Sequence, residues 1–426
     1  MVDIGILDRS WSSVVNRVTG KRPGEMKKRW TFDAHSGILH SATINDIDDD
    51  GHKEIIFGSL DGTLYALSDS GKVKWTASMK EELNKTKQIF VEESTYNAIT
   101  SIPVIGRHMG KKIIIAATAS GHIAAFYADG KPCWRFRING SIYTTPLYAD
   151  INSDGKGEII FGSNNEHLYV LDNDGKLMWK YNTKSQITSP AVMYDDIEKL
   201  IIFGTESGHI KAVNATGKFK WKYATEGKVT AKPVIADIFN DMNPRIIVGS
   251  NDKSLYVLDK KGKLEWKYQT HGEILSESII ADIDKDNESE IFFGACDDMI
   301  YAVAPNSQKI WSYETDMWIA ASPIVTDIDG DGAVEVIAGS YDKSIYVLEG
   351  KGTFALNYLP GLSVVANQPG HLTPFITSHP GELVGKKLWQ LGLDGIITGI
   401  SLLDDGTKQV IVSTKEGKLF SVYYEK

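Results

Sequence analysis

One apolar pattern recurs eight times along this chain, and that recurrence constrains the fold more than any other feature. IIFGSLDGTLYAL (55–67), IIIAATASGHIAAF (113–126), IIFGSNNEHLYVL (159–171) and LIIFGTESGHIKAV (200–213) share one template. IIVGSNDKSLYVL (246–258), IFFGACDDMIYAV (291–303), VIAGSYDKSIYVL (336–348) and VIVSTKEGKLFSV (410–422) complete the set. A second marker recurs in phase: GKVKW, GKPCW, GKLMW, GKFKW and GKLEW end at Trp75, Trp134, Trp179, Trp221 and Trp266, with a looser match ending at Trp311. Counted from Trp30, the tryptophan spacings are 45, 59, 45, 42, 45 and 45 residues. That period is the size of one propeller blade, a unit that buries its apolar faces only on its neighbours.

Each unit reads as four strands. The first follows a start such as TTPLYAD, TSPAVMY, AKPVIAD or ASPIVTD; the second is EIIFGS-like, the third LYVLD-like and the fourth GKLMWKY-like. Short runs rich in Ile, Val, Tyr and Phe, punctuated by Gly, Asp and Asn, are strand and turn grammar. No unit holds a helical crossover, so neighbouring strands are expected to be antiparallel. The expectation is an all-β, eight-bladed β-propeller of four-stranded blades. The recurrent tryptophan is expected to pack between adjacent blades. The last copy ends in LFSVYYEK with no fourth strand after it, whereas KKRWTF around Trp30 is a fourth strand with no blade before it. The N-terminal strand is therefore expected to complete the last blade and close the ring.

Residues 1–27 read as an N-terminal extension and 28–426 as a single propeller, interrupted at about 76–95 and 357–387. The KEELNKTK core of the first interruption has the composition for one or two helical turns. For the second, two registers fit: Leu356 or Trp389 can hold the tryptophan position of the seventh blade's outer strand. Which face of the disc this interruption occupies depends on that choice.

The Gly-Lys-x-x-Trp ending resembles the PQQ-like, quinoprotein-type propeller repeat family, over roughly residues 28–426. The resemblance implies the fold, and it implies scaffolds and binding modules as well as enzymes. Enzymes of this kind hold PQQ in the channel beside a calcium ion, and the alcohol-dehydrogenase branch stacks a vicinal disulfide on the quinone. Cys133 and Cys296, the only cysteines, lie far apart in different repeats. PQQ is therefore not expected, and both thiols are expected to be reduced.

Four copies carry an acidic loop between their first and second strands: DIDDDGHKE (46–54), DINSDGKGE (150–158), DIDKDNESE (282–290) and DIDGDGAVE (327–335). Oxygen side chains fall at positions 1, 3, 5 and 9. Position 6 is Gly51, Gly155, Asn287 or Gly332, residue types that tolerate a left-handed backbone. A hard cation such as Ca²⁺ takes six to eight oxygens from a tight loop of this kind. The spacing resembles the calcium loops of integrin-type FG-GAP propeller repeats. That resemblance implies four sites: Asp46, Asp48, Asp50 and Glu54; Asp150, Asn152, Asp154 and Glu158; Asp282, Asp284, Asp286 and Glu290; and Asp327, Asp329, Asp331 and Glu335. DIFNDMNPR (237–245) has Phe239 and Arg245 at positions 3 and 9, and YDDIEK, IGRHMGKK and LDDGTKQ also lack the pattern. Some blades thus manage without the acids, which makes calcium a loop stabiliser and not a reaction centre.

A formal net charge of −9 with scattered lysines excludes a basic nucleic-acid surface. No stretch approaches an apolar membrane span. If Met1 is the native start the expected compartment is the cytoplasm; if a leader was removed it is the periplasm or the extracellular space. A ligand is expected at the channel mouth opposite the acidic loops, where Tyr96, Tyr143, Lys232, His271, Glu277 and Trp318 fall by register. No paired-His motif, nucleophile elbow, phosphate loop or locally supported His/Cys/Asp combination is present. The expected function is a non-catalytic scaffold that binds a protein, glycan or small molecule, the alternatives being a quinoprotein oxidoreductase or a carbohydrate-active lyase or hydrolase.

Overall fold

The EIIFG-like runs are apolar throughout because both faces of each are covered. In the computed structural model, which describes residues 24–81, 96–354 and 383–426, every residue of Glu54–Gly58, Glu158–Gly162, Leu200–Gly204, Glu290–Gly294 and Glu335–Gly339 is buried. The GKLMW-like runs Val73–Ser78, Leu177–Asn182 and Phe219–Ala224 alternate instead between exposed and half-buried residues. Such alternation belongs to a strand with one wet face. Together the strands form eight four-stranded antiparallel sheets, each a meander in chain order except the last. They are the blades of a β-propeller. Blades 1 to 7 begin at Thr43, Val104, Leu147, Val192, Val234, Ile279 and Ile324, and blade 8 at Ile397. The core lies between blades: Ile202 and Ile210 of blade 4, with Val229 of the following connection, pack with Ile246, Val248 and Tyr256 of blade 5.

Ring closure follows the expected route. Glu25–Asp33 pairs antiparallel with Lys418–Glu425, from Glu25 opposite Glu425 to Asp33 opposite Lys418, and so becomes the outer strand of blade 8. The tryptophans clamp successive blades. Trp30 donates its indole N–H to the Asp69 carbonyl of blade 1 at 3.0 Å, Trp221 to the Lys260 carbonyl of blade 5 at 3.0 Å, and Trp389 to the Gly24 carbonyl at 3.0 Å. The Trp30 and Trp221 indoles lie on the turn joining the next blade's third and outer strands, and Trp389 on the residue preceding the outer strand of blade 8. At Gly262 that turn needs φ of +75°, and a Cβ there would sit 2.3 Å from the Trp221 ring. Conformation and space both demand glycine.

In blade 7, Val347 pairs with Trp389 within Leu383–Gly392, which makes Trp389 the clamp residue. Leu356 lies outside the described residues. The second interruption therefore joins the third and outer strands of blade 7, with its flanks on the acidic-loop face: Gly350 N–H bonds the Val334 carbonyl of that loop at 3.0 Å. Residues 82–95, which hold most of the KEELNKTK segment, also lie outside the described residues.

One irregularity repeats in every blade. The register between third and outer strands slips by one residue just before the tryptophan. The bulged residues are Lys74, Cys133, Met178, Lys220, Glu265, Ile310 and Leu388 in blades 1 to 7, and Arg29 in blade 8. A bulge re-aims its side chain.

Candidate cation loops and channel mouth

The four acidic loops share one conformation. The position-6 N–H of Gly51, Gly155, Asn287 and Gly332 donates to the position-1 carboxylate of Asp46, Asp150, Asp282 and Asp327 at 3.0, 2.9, 3.1 and 2.9 Å. The position-9 carboxylates of Glu54, Glu158, Glu290 and Glu335 accept the N–H of Ile47, Ile151, Ile283 and Ile328 at 2.9, 2.9, 2.9 and 3.0 Å. Positions 4 and 6 are left-handed in each; Asn287 adopts φ of 72°, in the same region as the glycines. Blade 5 adopts the conformation with only Asp237 and Asp241 of the four oxygens. Asn240 and Met242 are left-handed at 52° and 63°, and Met242 N–H reaches Asp237 at 2.7 Å. The Asx-type hydrogen bonds therefore shape the loop by themselves.

What differs between blades is the charge. Carboxylate oxygens of Asp282, Asp284 and Glu290, and of Asp327, Asp329 and Glu335, lie within 4.8 Å of one another, as do those of Asp46, Asp48 and Asp50. In blade 6, burial together with the neighbouring Asp284 and Asp286 pushes the Glu290 carboxyl up to about 7. Burial also raises Glu158, helped by Asp154 and Asp150. These acids lack compensation for their charge. In blade 3 the Asn152 amide nitrogen donates to Glu158 at 3.0 Å, and turning that amide over would present its oxygen instead.

In some blades the bulged residue brings a cation to the side chains of the loop, in addition to the lysines of the next blade that bond the loop backbone, Lys199 to the Asp150 carbonyl at 2.6 Å and Lys408 to the Asp327 carbonyl at 2.7 Å. In blade 1 the Lys74 ammonium lies 2.6 Å from Asp48, 2.7 Å from Glu54 and 3.4 Å from Asp50, inside the carboxylate group. Burial opposes its charge, but the hydrogen bonds to Asp48 and Glu54 hold the ammonium above its ordinary range. Blade 5 reverses the polarity: Arg245, at position 9, bonds Glu265 at 3.1 Å and also Asp241, whose carboxyl the guanidinium pulls down to about 2. In blade 4 Lys220 pairs with Glu198 at 2.7 Å. Blades 3, 6 and 7 place Met178, Ile310 and Leu388 there. Sequence reading missed this partner because pairing register, not spacing, defines it.

On the opposite face, a cavity of about 640 Å³ opens along the axis, lined from all eight blades by residues including His40, Tyr143, Thr188, Lys232, Glu277 and Thr398. Lys232 and Glu277 meet there as an ion pair at 2.8 Å. Burial in the channel pushes the His40 ring below its ordinary range, against a hydrogen bond to the Thr100 backbone. Three of the register-derived residues thus line the channel, and the others sit outside it. Trp318 is half exposed and faces Tyr341 with ring centroids 6.3 Å apart; Tyr96 O–H donates to Glu81 at 2.9 Å; and the His271 backbone N–H donates to Asp297 at 2.8 Å. Tyr143, Met317 and Trp318 are exposed large side chains of this face. Among the described residues no helix is long and apolar enough to cross a membrane.

The family model described as outer membrane protein assembly factor BamB matches residues 60–232 and 164–379, overlapping stretches that together span well over half of the chain. A second model, the lambda-carrageenase β-propeller domain, matches residues 23–94. Two curated lambda-carrageenases are similar. That of Pseudoalteromonas sp is 28% identical over 108 residues, and that of Pseudoalteromonas carrageenovora 26% over 105; each match takes in 25% of this chain and 11% of the relative. The matched stretch spans about a tenth of the length of those relatives. Among solved structures, BamB from Moraxella catarrhalis superposes with a TM-score of 0.63 at 13% identity, covering 94% of this chain and 98% of that one. BBS1N in complex with ARL6DN gives 0.55 at 12%, covering 95% and 98%. These likenesses at low identity show the shared propeller fold, and the long family match shows more: the chain belongs to the PQQ-like repeat propellers of the BamB family.

Proposed function

We propose that this protein is a binding scaffold, a propeller stabilised by calcium on one face that engages a protein partner at the channel mouth on the other. The observation that carries the reading is the mouth itself, where eight blades converge on one cavity beside the exposed Tyr143, Met317 and Trp318. Aromatic and Met side chains presented at a concave surface are the usual anchors of protein recognition. BBS1N, a propeller of the same fold, is seen with a protein bound. A photo-crosslinker at Tyr143 is expected to capture a partner that one at Met242, on the acidic-loop face, does not. Capture only from Met242 would refute the placement. A second reading, a polysaccharide ligand at the same mouth, draws on the match to the carrageenase propeller domain. Binding on a glycan array, abolished by Tyr143→Ala with Trp318→Ala, would select it.

Calcium is assigned on the same footing to the loops of blades 3, 6 and 7, whose oxygen side chains repeat at positions 1, 3, 5 and 9. The ligands are Asp150, Asn152, Asp154 and Glu158; Asp282, Asp284, Asp286 and Glu290; and Asp327, Asp329, Asp331 and Glu335. The uncompensated Glu290 supports this assignment. In blade 1, Lys74 stands where the ion would. A quinone fits the channel poorly: Cys133 and Cys296 are free thiols in blades 2 and 6, and Lys232, the cation available to a polycarboxylate, is already paired with Glu277.

A further inference from the structure

Blade 2 turns the bulge position to a different use. Its bulged residue is Cys133, and facing it are the end of the blade's first strand and the end of its third. Cys133 Sγ lies 3.4 Å from His108 Nδ1. On the other side of the ring, His108 Nε2 lies 2.9 Å from an Asp174 carboxylate oxygen contributed by blade 3. Tyr127 O–H stands 3.2 Å from Nδ1, and the Cys133 thiol together with burial raises its phenol above the usual range. His108 is buried, whereas Cys133 is partly exposed. The clamp fixes this arrangement: the turn carrying Asp174 includes Gly175, which packs on the Trp134 ring next to Cys133.

A thiol beside one imidazole nitrogen, with a carboxylate on the other, is the geometry that generates a thiolate. With Nε2–H donated to Asp174, Nδ1 is the acceptor for the thiol proton. We propose that Cys133 is a thiol–disulfide exchange site, its thiol deprotonated by His108 and the imidazolium held by Asp174. The Sγ proton passes to Nδ1, and the thiolate attacks one sulfur of a low-molecular-weight disulfide. A Cys133–sulfur bond forms as the disulfide bond breaks, and the departing thiolate takes the proton from Nδ1. The Cys133 sulfur is oxidised and the leaving sulfur reduced, so the small disulfide is the only oxidant needed. Tyr127 O–H donates to the thiolate. Other charges around the group are Lys111, 5.8 Å from the Tyr127 ring centroid, Lys156 and Lys176 near Asp174, and Arg107, Asp154, Glu158 and Asp172, which line the cavity beside His108 and Asp174.

Cys296 is an internal control. It too is a partly exposed free thiol, but burial and the surrounding Glu273, Asp297 and Asp298 push it up to about 11. The test exposes the whole protein to oxidised glutathione between pH 5.5 and 9 and measures mixed disulfide at each cysteine by peptide mass spectrometry. Near pH 6.5 Cys133 is expected to react roughly ten-fold faster than Cys296. His108→Gln should slow Cys133 by roughly ten-fold at that pH and by about two-fold or less at pH 9, where hydroxide replaces the base. Asp174→Asn, on an exposed turn that can lose its charge without unfolding the blade, should give part of the same loss. Equal rates at the two cysteines, or an unchanged pH profile in both variants, would overturn the proposal. So would full protection of Cys133 by one equivalent of zinc, which would make the cluster a metal site.

Discussion

Replacing Lys74 by methionine, the residue blade 3 carries at the same bulge, isolates the role of charge in the acidic loops. In the native protein the Lys74 ammonium pairs with Asp48, Asp50 and Glu54 at 2.6, 3.4 and 2.7 Å. Glu54 is almost fully buried, at 1% side-chain exposure, whereas Asp48 and Asp50 are 36% and 47% exposed. Breaking a buried pair costs about 3–5 kcal/mol, and an exposed pair contributes at most about 1. Because Glu54 keeps the Ile47 N–H and the other two acids reach water, the expected loss is about 2–3 kcal/mol without calcium. Unfolding entropy for 426 residues is about 0.9 kcal/mol/K, so Tm should fall by about 2–3 °C.

Calcium should then do what the ammonium did. At a hundred times its Kd an ion bound only by the folded state returns about 2.7 kcal/mol, enough to cancel the loss. Differential scanning calorimetry of both proteins in chelator and in calcium is the assay, with titration calorimetry to count ions. Lys74→Met is expected to show the larger calcium-dependent rise in Tm, by about 2–3 °C, and one more bound ion. An identical calcium response in the two proteins would refute the argument that the ammonium occupies a cation position.

Three further outcomes are expected. Gly262→Ala should cost about 2–4 kcal/mol, because its Cβ meets the Trp221 ring at 2.3 Å and φ is +75°; Gly406→Ala, at φ of +84° with nothing within 4 Å, should show only the backbone share of about 1 kcal/mol by denaturant titration. Glu290, raised from 4.5 to about 7, binds its proton more tightly folded than unfolded. In chelator its contribution to stability is present below pH 4.5 and lost as pH rises to about 7, so Tm should decline across that window and Glu290→Gln should flatten the decline. Deleting residues 1–33 removes the outer strand of blade 8 and bares the edge of Lys418–Glu425. Size-exclusion chromatography should show aggregation, relieved by a peptide of residues 24–33 added in trans.

The ring was legible because its signals are local. Apolar runs buried on both faces, alternating outer strands and a tryptophan every forty-odd residues each report one strand's surroundings, and closure by KKRWTF followed from counting strands. Trp389 was distinguishable from Leu356 only through hydrogen-bond register, since both stand at a plausible distance from their neighbours in sequence. The oxygen pattern of the loops was likewise visible, and so was Asn287 as a left-handed residue. Hidden from the sequence was whatever faces each loop. Lys74 belongs to the marker GKVKW, where it reads as an exposed lysine of a wet strand, until the bulge turns it toward acids twenty residues earlier. His108, Cys133 and Asp174 are separated by 25 and 41 residues and come from two blades, so no local motif announces them.

Loop and bulge therefore have to be read as a pair. In blades 1, 3, 5, 6 and 7 the loop backbone is nearly constant: Asx-type hydrogen bonds set it even in blade 5, where Phe239 and Arg245 replace two of the oxygens. The bulge is constant in position but not in chemistry. In blade 1 Lys74 sets an ammonium among the acids, whereas blade 6 places the apolar Ile310 there; facing Arg245, Glu265 inverts the pair. Where the loop supplies His108 in place of acids, a cysteine at the bulge meets an imidazole. Among the blades that share the nine-residue loop, an ion pair and a candidate cation site thus differ by the loop's acids and its bulged residue, whereas blade 2 sets its thiol against a tight hairpin in which His108 stands opposite Lys111. Exchanging the pair between blades, Cys133→Lys together with His108→Glu, should accordingly abolish thiol exchange and leave the ring intact by circular dichroism; loss of the fold would show that bulge chemistry and blade packing are not separable.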